Sequence, residues 1–403
     1  MQKIVFALIL VYVFLNSQAT AQPYNFINYE ENAIIQPTRE SMKAFFTSLR
    51  DLDMYKSRKV NIVHIGDSHI QADFFSGRIR QLFQQDDRFA NGGRGFVFPY
   101  RLAQTNNPPN YTVTYTGYWD NAKSVKRTDN AQWGLAAISA TARSPQCSFT
   151  INPNNGAVSY AVTKVKIFYP VFDANSFRVT IDIDPKELVS SYLSRNGYVE
   201  FQFRNPQSQI TVKLEQTSHR QNQFVLQGIS LENDQAGVVY HAVGINGATV
   251  STYFRCQDFD THLRALSPDL VIVSLGTNDA HVVRFNPEDY KNNMRFLVQQ
   301  IRRAVPQASV LLTTPADAYM GKRRANPHNE LAKEKILELT QELNVGCWDF
   351  FNVMGGFKSV DKWLKNQLVT KDRLHFTTKG YQLQGELLYD AFDNAYRQYW
   401  NLK

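Results

Sequence analysis

The sequence predicts an α/β protein whose parallel sheet is interrupted by a long all-β segment. Three observations carry this. Short apolar runs alternate with amphipathic helical stretches towards both ends of the chain. From about Tyr111 to Asn233 helical periodicity gives way to short alternating runs parted by turn residues. The turns that hold chemically able side chains all follow strands of the alternating part, which places them on one sheet edge.

Taken in order, Gln22 to Ile35 is polar and irregular and reads as a surface lead-in. Thr38 to Leu52 reads as a helix, with Thr38 as N-cap and Met42, Phe45, Phe46 and Leu49 on one face. Val60 to Ile65 is a short buried strand, followed by Gly66-Asp67-Ser68-His69 and a helical pattern through Phe83. Asn91 to Tyr100, NGGRGFVFPY, reads as a glycine-rich loop. It does not lie between a strand and a helix as a phosphate loop must, which rejects nucleotide binding. It serves either to bring backbone close to the active edge or as a tight connector.

The middle segment holds runs at Ser159–Tyr169, Phe177–Ile183, Tyr198–Phe203, Ile210–Leu214 and Phe224–Leu231. Asn154-Asn155-Gly156, Asn196-Gly197 and Asn205-Pro206 separate them, the texture of a β-sandwich or jelly roll. The α/β pattern then resumes. Strands are predicted at Val238–Val243, Leu270–Leu275, Ser309–Thr313 and Val345–Phe350. Helices are predicted at Thr249–Leu266, Pro287–Val305, Asn329–Leu343 and Thr377–Tyr399. Five short strands alternating with helices give a parallel sheet covered on both faces.

Composition narrows the classes. Of 403 residues, 43% are hydrophobic and 20% charged, as in an ordinary globular protein long enough for two domains. Twenty Tyr and 27 Phe suit β-structure and sugar-stacking surfaces equally. The net charge of +8 comes with no nucleic-acid motif, which argues against a nucleic-acid partner. It suits an anionic polymer, or serves solubility alone. Cys147, Cys256 and Cys347 are too widely spaced for a metal signature or a disulfide framework and read as small buried side chains, with one bridge at most.

Met1 to Ala21 reads as a secretory signal. Lys3 supplies the positive start, Ile4 to Leu15 the apolar stretch and Ala19-Thr20-Ala21 the cleavage site. The apolar stretch is too short to span a membrane, and no later run approaches the length of a span. Cleavage would leave Gln22 first; with no cysteine following, a lipid anchor is not expected, and the mature chain is expected to be soluble. The expected domains are thus a signal at 1–21, a discontinuous α/β domain at 22–110 and 234–403, and a β-insert at 111–233.

The chemistry starts from Ser68. A serine at a strand-to-helix turn exposes its hydroxyl at the carboxyl end of a sheet, where helix amides carry partial positive charge. It is either a nucleophile or a capping serine. It is not the G-x-S-x-G elbow, because Ile70 stands at the second glycine position. A serine nucleophile needs a base, an orienting acid and oxyanion donors. Asp372-Arg373-Leu374-His375 offers a base and, three residues before it, an acid able to orient it, although a lone histidine is often structural. The donor candidates are the Ser68 amide, the Gly247 amide in Gly244 to Ala248, and the Asn278 side chain in Gly276-Thr277-Asn278-Asp279. Each alone also fits turn chemistry.

Together, Gly66–His69, Gly244–Ala248, Gly276–Asp279 and Asp372–His375 resemble the four ordered blocks of the SGNH/GDSL hydrolase superfamily. The resemblance implies a flavodoxin-like three-layer α/β/α sandwich and acyl-serine ester hydrolysis without metal or organic cofactor. It implies Ser68 as nucleophile, His375 and Asp372 as base and orienter, and Ser68, Gly247 and Asn278 as oxyanion donors. Asp67, His69, Gly276 and Asp279 would support them. The GDSH opening, the loop ending in Phe98-Pro99-Tyr100, the β-insert and Gly247-Ala248-Thr249 are similar to bacterial O-acetylpeptidoglycan esterases, whose insert resembles carbohydrate-binding modules. That likeness implies an acetylated glycan substrate, peptidoglycan first. Other acetylated polysaccharides, lipid esters, acetyl transfer to glycan and a glycan-binding protein with a relic site are the alternatives. The insert has no long apolar stretch, which argues against a lipase. The insert is expected either to hold polymer beside Ser68 or only to stabilise the fold.

Overall fold

The computed structural model describes residues 24–321 and 324–402. The expected secretory signal at 1–21 lies outside the described residues.

The central sheet has six strands: β1 (Ile34–Ile35), β2 (Lys59–Gly66), β3 (Gly237–Gly244), β4 (Leu270–Ser274), β5 (Ser309–Thr313) and β6 (Gly346–Trp348). Their spatial order is β1-β6-β5-β4-β2-β3. All pairs are parallel except β1, which runs antiparallel to β6. The five parallel strands therefore have the doubly wound flavodoxin order, with the chain turning in opposite directions on either side of β2 and β4. That switch point opens a crevice beyond the carboxyl ends of β2 and β4.

Alternation along each strand splits the core in two, because successive side chains point to opposite faces. Val60, Ile62, Leu270 and Ile272 face one cluster, which includes Phe45, Phe83 and Phe392. Val63, Ile65, Val271 and Val273 face the other, which includes Leu263, Met294 and Ile336. The covering helices on the first face are α1 (Lys43–Tyr55), α3 (Phe75–Gln85) and α10 (Thr378–Trp400). On the second they are α4 (Phe259–Leu266), α6 (Pro287–Ala304) and α7 (His328–Leu343). The short helices α2 (Ser68–Gln71), α5 (Thr277–Ala280), α8 (Phe350–Val353) and α9 (Val360–Lys365) sit in connections.

The remaining β-structure forms a five-stranded, a four-stranded and a three-stranded sheet, all antiparallel. Its buried residues, including Trp119, Phe149 and Phe224, are continuous with the core on the second face. A small two-residue hairpin pairs Tyr319–Met320 with Arg324–Ala325.

Several elements differ from expectation for local reasons. The lead-in contains β1, whose pairing to Cys347 and Trp348 covers the open edge of the sheet. The helix after Ser68 is broken: α2 ends at Gln71, and Asp73 takes φ +51° before α3 begins. The glycine-rich segment is a strand, Gly93–Val97, wholly buried and paired to Gly228–Glu232. Its glycines do bring backbone close, but to β3, not to the sheet edge that carries Ser68: a Cβ on Gly95 would lie 2.9 Å from the Tyr240 carbonyl oxygen. The Phe224–Leu231 run is two strands in two sheets, parted at the buried Gln227. The Thr249–Leu266 stretch is a 3-10 helix at Val250–Arg255 followed by α4. The fifth parallel strand stops at Trp348, because Asp349 caps α8 through the Asn352 amide. All three cysteines are buried and unpaired.

Candidate active site

Three loops at the carboxyl ends of β2, β3 and β4 meet the turn before α10. Ser68 opens α2, but the cap of that helix is Asp67, whose Oδ1 accepts the His69 amide at 3.0 Å. The Ser68 hydroxyl is left free of capping and lies 3.1 Å from His375 Nε2. His375 Nδ1 is 2.8 Å from Asp372 Oδ2. Ser68, His375 and Asp372 are thus in line, in the order that proton transfer from the hydroxyl requires.

The turn that presents Asp372 and His375 is locally determined. The Thr370 amide donates to the His375 carbonyl at 2.8 Å, and Arg373 takes φ +53° between them. Asp372 Oδ1 accepts the Thr370 hydroxyl at 2.6 Å and the amides of Leu374 and His375, each at 2.9 Å. Partial burial alone raises this carboxyl. The bonds from Thr370, His375 and Leu374 outweigh it and hold Asp372 well below the usual carboxylate range. Asp372 therefore keeps its negative charge beside the imidazole. Thr377 then caps α10 by accepting the Gly380 amide.

The donor side is assembled from the other two loops. Gly247 is exposed at φ +80°, and a Cβ there would meet nothing within 4 Å. The Ser68 and Gly247 amides bond to no described residue. Asn278 is brought to the same place, but both hydrogens of its amide are engaged, on Asp67 Oδ2 and on the Ala248 carbonyl, each at 3.0 Å. Its neighbour Asp279 accepts the Val250 amide at 3.1 Å and ties the β3 loop to α5. Gly276, at φ +135°, leaves room for the Tyr290 hydroxyl, which would lie 2.5 Å from a Cβ.

Burial raises Asp67 to about 6 against the His69 and Asn278 bonds and the charge of His375. Burial also raises Asp279 to about 7. His69 lies 5.5 Å from His375, ring centre to ring centre, and receives Tyr381 Oη at 2.9 Å on Nδ1. Burial, then the neighbouring His375, lower His69 to about 3, so it stands as a neutral ring beside His375.

Sequence reasoning missed the polar frame beneath these loops. His64 bridges Tyr240 Oη and Ser274 Oγ, each at 2.7 Å, and Thr313 donates to Ser274 at 2.8 Å. This row runs across β3, β2, β4 and β5. Tyr253 donates to the Gly66 carbonyl at 2.6 Å, and Tyr100 to that of Gly244. Tyr100 belongs to the noted FPY stretch and Tyr253 to the stretch read as a helix; the others sit in or at the ends of apolar strand runs with no local signal.

The sequence profile of the GDSL-like lipase/acylhydrolase family matches residues 212–383. That span holds Gly247, Asn278, Asp372 and His375 and begins beyond Ser68. No curated protein sequence matches the chain. A solved structure described as a peptidoglycan O-acetylesterase in action aligns with 23% identity and a TM-score of 0.76, over 91% of this chain and 99% of that one. That likeness shows the fold: a doubly wound α/β core with additional β-structure. A lipase/acylhydrolase from Enterococcus faecalis aligns over 40% of this chain and 77% of its own, with 22% identity and a TM-score of 0.33. An acetylxylan esterase from Geobacillus stearothermophilus aligns over 41% of this chain and 74% of its own, with 19% identity and a TM-score of 0.30.

Proposed function

We propose that this chain, a carboxylic ester hydrolase of the GDSL type, is an exported esterase that removes O-acetyl groups from glycan, with O-acetylated peptidoglycan as its substrate. The observation that carries the ester chemistry is the line from Ser68 Oγ through His375 to Asp372. The substrate reading is supported by the architecture shared with the peptidoglycan O-acetylesterase along almost the whole chain. Export is supported by the signal-like Met1 to Ala21 and by the envelope location of such a substrate. No helix of the described residues is long and apolar enough to cross a membrane. In this reading residues 22–110 and 234–403 form the hydrolase and 111–233 the insert, with the strand Gly93–Val97 seated in the insert's five-stranded sheet.

In the proposed reaction Ser68 Oγ attacks the acetyl carbonyl carbon while neutral His375 takes its proton on Nε2. Asp372 stabilises the imidazolium. The carbonyl electron pair moves onto oxygen, where the Ser68 and Gly247 amides donate, joined by Asn278 as it gives up one internal bond. Collapse breaks the bond to the sugar oxygen, which takes the proton from His375 and leaves as the free hydroxyl. Water, deprotonated by His375, then attacks the acetyl-serine; acetate leaves and Ser68 regains its proton.

Acetate release from O-acetylated peptidoglycan, acetylated xylan and p-nitrophenyl acetate tests this. Peptidoglycan is expected to give the highest kcat/KM, and Ser68→Ala to abolish turnover of all three without altering the fold. Turnover surviving in a folded Ser68→Ala protein overturns the mechanism. Preference for xylan overturns the substrate.

A further inference from the structure

Beside the catalytic loops, α3 and the insert line a cavity of about 160 Å³. Asp73, Gly77, Arg80, Arg94, Asn110 and the loop at Gly156 line it. Arg80 and Arg94 are almost wholly buried and share a single carboxylate. Asp73 accepts Arg80 at 2.7 Å, Arg94 at 2.6 Å, Asn110 at 2.8 Å and Ser76 at 2.6 Å, so its acceptor capacity is filled. Two guanidinium groups against one carboxylate leave one positive charge unanswered. Arg94 Nε and Nη1 have no hydrogen-bond partner among the described residues; Nη2 also reaches Asn110 Oδ1 at 3.2 Å, and the Tyr111 ring lies 5.4 Å from the guanidinium carbon. Burial, then repulsion from Arg80, lowers Arg94. An uncompensated buried cation is costly, so a site of this kind favours an anion in the space beside it.

A second observation concerns that space. Gly77 sits inside α3, where glycine costs about 1 kcal/mol relative to alanine. A Cβ there would lie 3.1 Å from Asn110 Nδ2 and 3.3 Å from Arg80 Nη2. The glycine keeps the volume over the Arg80 guanidinium open. At the mouth, the amides of Gly156, Ala157 and Val158 bond to no described residue. Arg78 at the rim is spent on Glu386, at 2.7 Å. The cavity also flanks the catalytic loops: Phe74 on its wall stacks on Tyr381, which holds His69 beside His375. Asp73 follows Ser68 by five residues, which bounds their separation at about 18 Å.

We propose that this cavity is a carboxylate subsite, in which an acid group of the glycan polymer lies over Gly77 against the Arg80–Arg94 pair while a neighbouring acetyl ester is cleaved at Ser68. The inference rests on the proposed acetylated, carboxylate-bearing substrate. Free acetate, the reaction product, shares the chemistry, so the experiment separates the two sources.

Full-length wild type, Arg94→Met and Gly77→Ala are compared. Arg94→Met removes the unanswered charge and leaves Asp73 paired to Arg80. Gly77→Ala fills the space and favours the helix, so it reports even if the first variant does not fold. Both are expected to keep the wild-type rate on p-nitrophenyl acetate and kcat on O-acetylated peptidoglycan, with KM on the polymer raised at least tenfold. Co-sedimentation with peptidoglycan stripped of acetyl groups needs no turnover and reports on the subsite even if the esterase reading fails. Wild type is expected to bind it more tightly than Gly77→Ala, and amidating the polymer's carboxylates to erase that difference. Equal KM and equal binding for wild type and Gly77→Ala overturn the proposal. So does a melting-temperature rise with sodium acetate that Gly77→Ala loses while its polymer KM is unchanged, which assigns the cavity to free acetate.

Discussion

Replacing Asp279 by asparagine isolates the energetic consequence of a raised carboxyl beside the donor loop. Asp279 is half-buried and accepts the Val250 amide, which an asparagine oxygen can also accept. Burial moves it from 3.8 to about 7 in the folded chain. A group raised in the native state contributes stability that is full below its unfolded value and lost as pH rises through the folded one. From pH 5 upward the unfolded carboxyl is already ionised while the folded one keeps its proton up to about 7, so native stability falls with each pH unit in that interval. Those two or so pH units amount to about 2–3 kcal/mol at 1.36 kcal/mol each. Partial solvent contact reduces this to about 1–2 kcal/mol. Asp279→Asn carries no such loss, so its melting temperature relative to wild type is expected to climb between pH 5 and pH 8. With an unfolding entropy of about 0.8 kcal/mol/K for a chain of this length, the gap should widen by about 2 °C. Calorimetric scans of both proteins at pH 5, 6.5 and 8 measure it. A gap that stays constant across the three pH values refutes the raised carboxyl.

The other predictions concern catalysis. His375→Ala is expected to cost more in kcat than Asp372→Ala, and the double variant no more than His375→Ala, because the two act as a unit; steady-state rates on p-nitrophenyl acetate read this. Wild-type kcat/KM should fall in acid, because the mechanism needs a neutral base, while Asp372 stays ionised throughout; a flat profile from roughly pH 5 to 8 excludes a histidine base. Asn278→Ala should lower kcat about ten- to a hundredfold with KM little changed, the smaller end of the range for an oxyanion donor because its hydrogens are already engaged. An effect confined to KM would place Asn278 in ground-state binding.

What the sequence revealed and what it hid divides by the range of the interactions. Ser309–Thr313 was legible to the residue, and the other parallel strands to within two residues or so, because an unbroken apolar run is a local signal. The Asp-x-x-His spacing was legible for the same reason: three residues on one turn project together. The strand order was not, since pairing joins Lys59 to Gly237 across the whole insert. Gly93–Val97 was hidden because its glycines oppose strand formation locally and serve only the approach to β3. Thr112–Thr116, Trp119–Lys123, Ile138–Ala142, Ser148–Asn152 and Leu188–Ser194 were missed where polar or small residues blur the alternation. The break at Asp73 has no glycine or proline to mark it; Arg80, Arg94 and Asn110, up to 37 positions away, hold that turn. Nor could spacing reveal that Tyr381 reaches His69 or that both hydrogens of Asn278 have acceptors.

Those acceptors bear on why an aspartate stands before the serine. A serine at a helix start is ordinarily consumed by the cap, its oxygen turned back to an amide of the first turn. Here the cap sits one residue upstream. Asp67 takes the His69 amide on Oδ1, and the Ser68 hydroxyl is released towards His375. The other oxygen, Oδ2, takes Asn278 and so fixes the distance between the β2 and β4 loops across the switch point. A serine or threonine at 67 has one side-chain oxygen and cannot hold both partners at this spacing with the same geometry. A glutamate would carry its carboxylate one methylene beyond the capping position. Burial raises the aspartate to about 6, so near neutrality it remains mostly ionised and keeps the charge that both donors, the His69 amide and Asn278, address. The residue that looks like a spacer in the GDS turn thus frees the hydroxyl and places the amide.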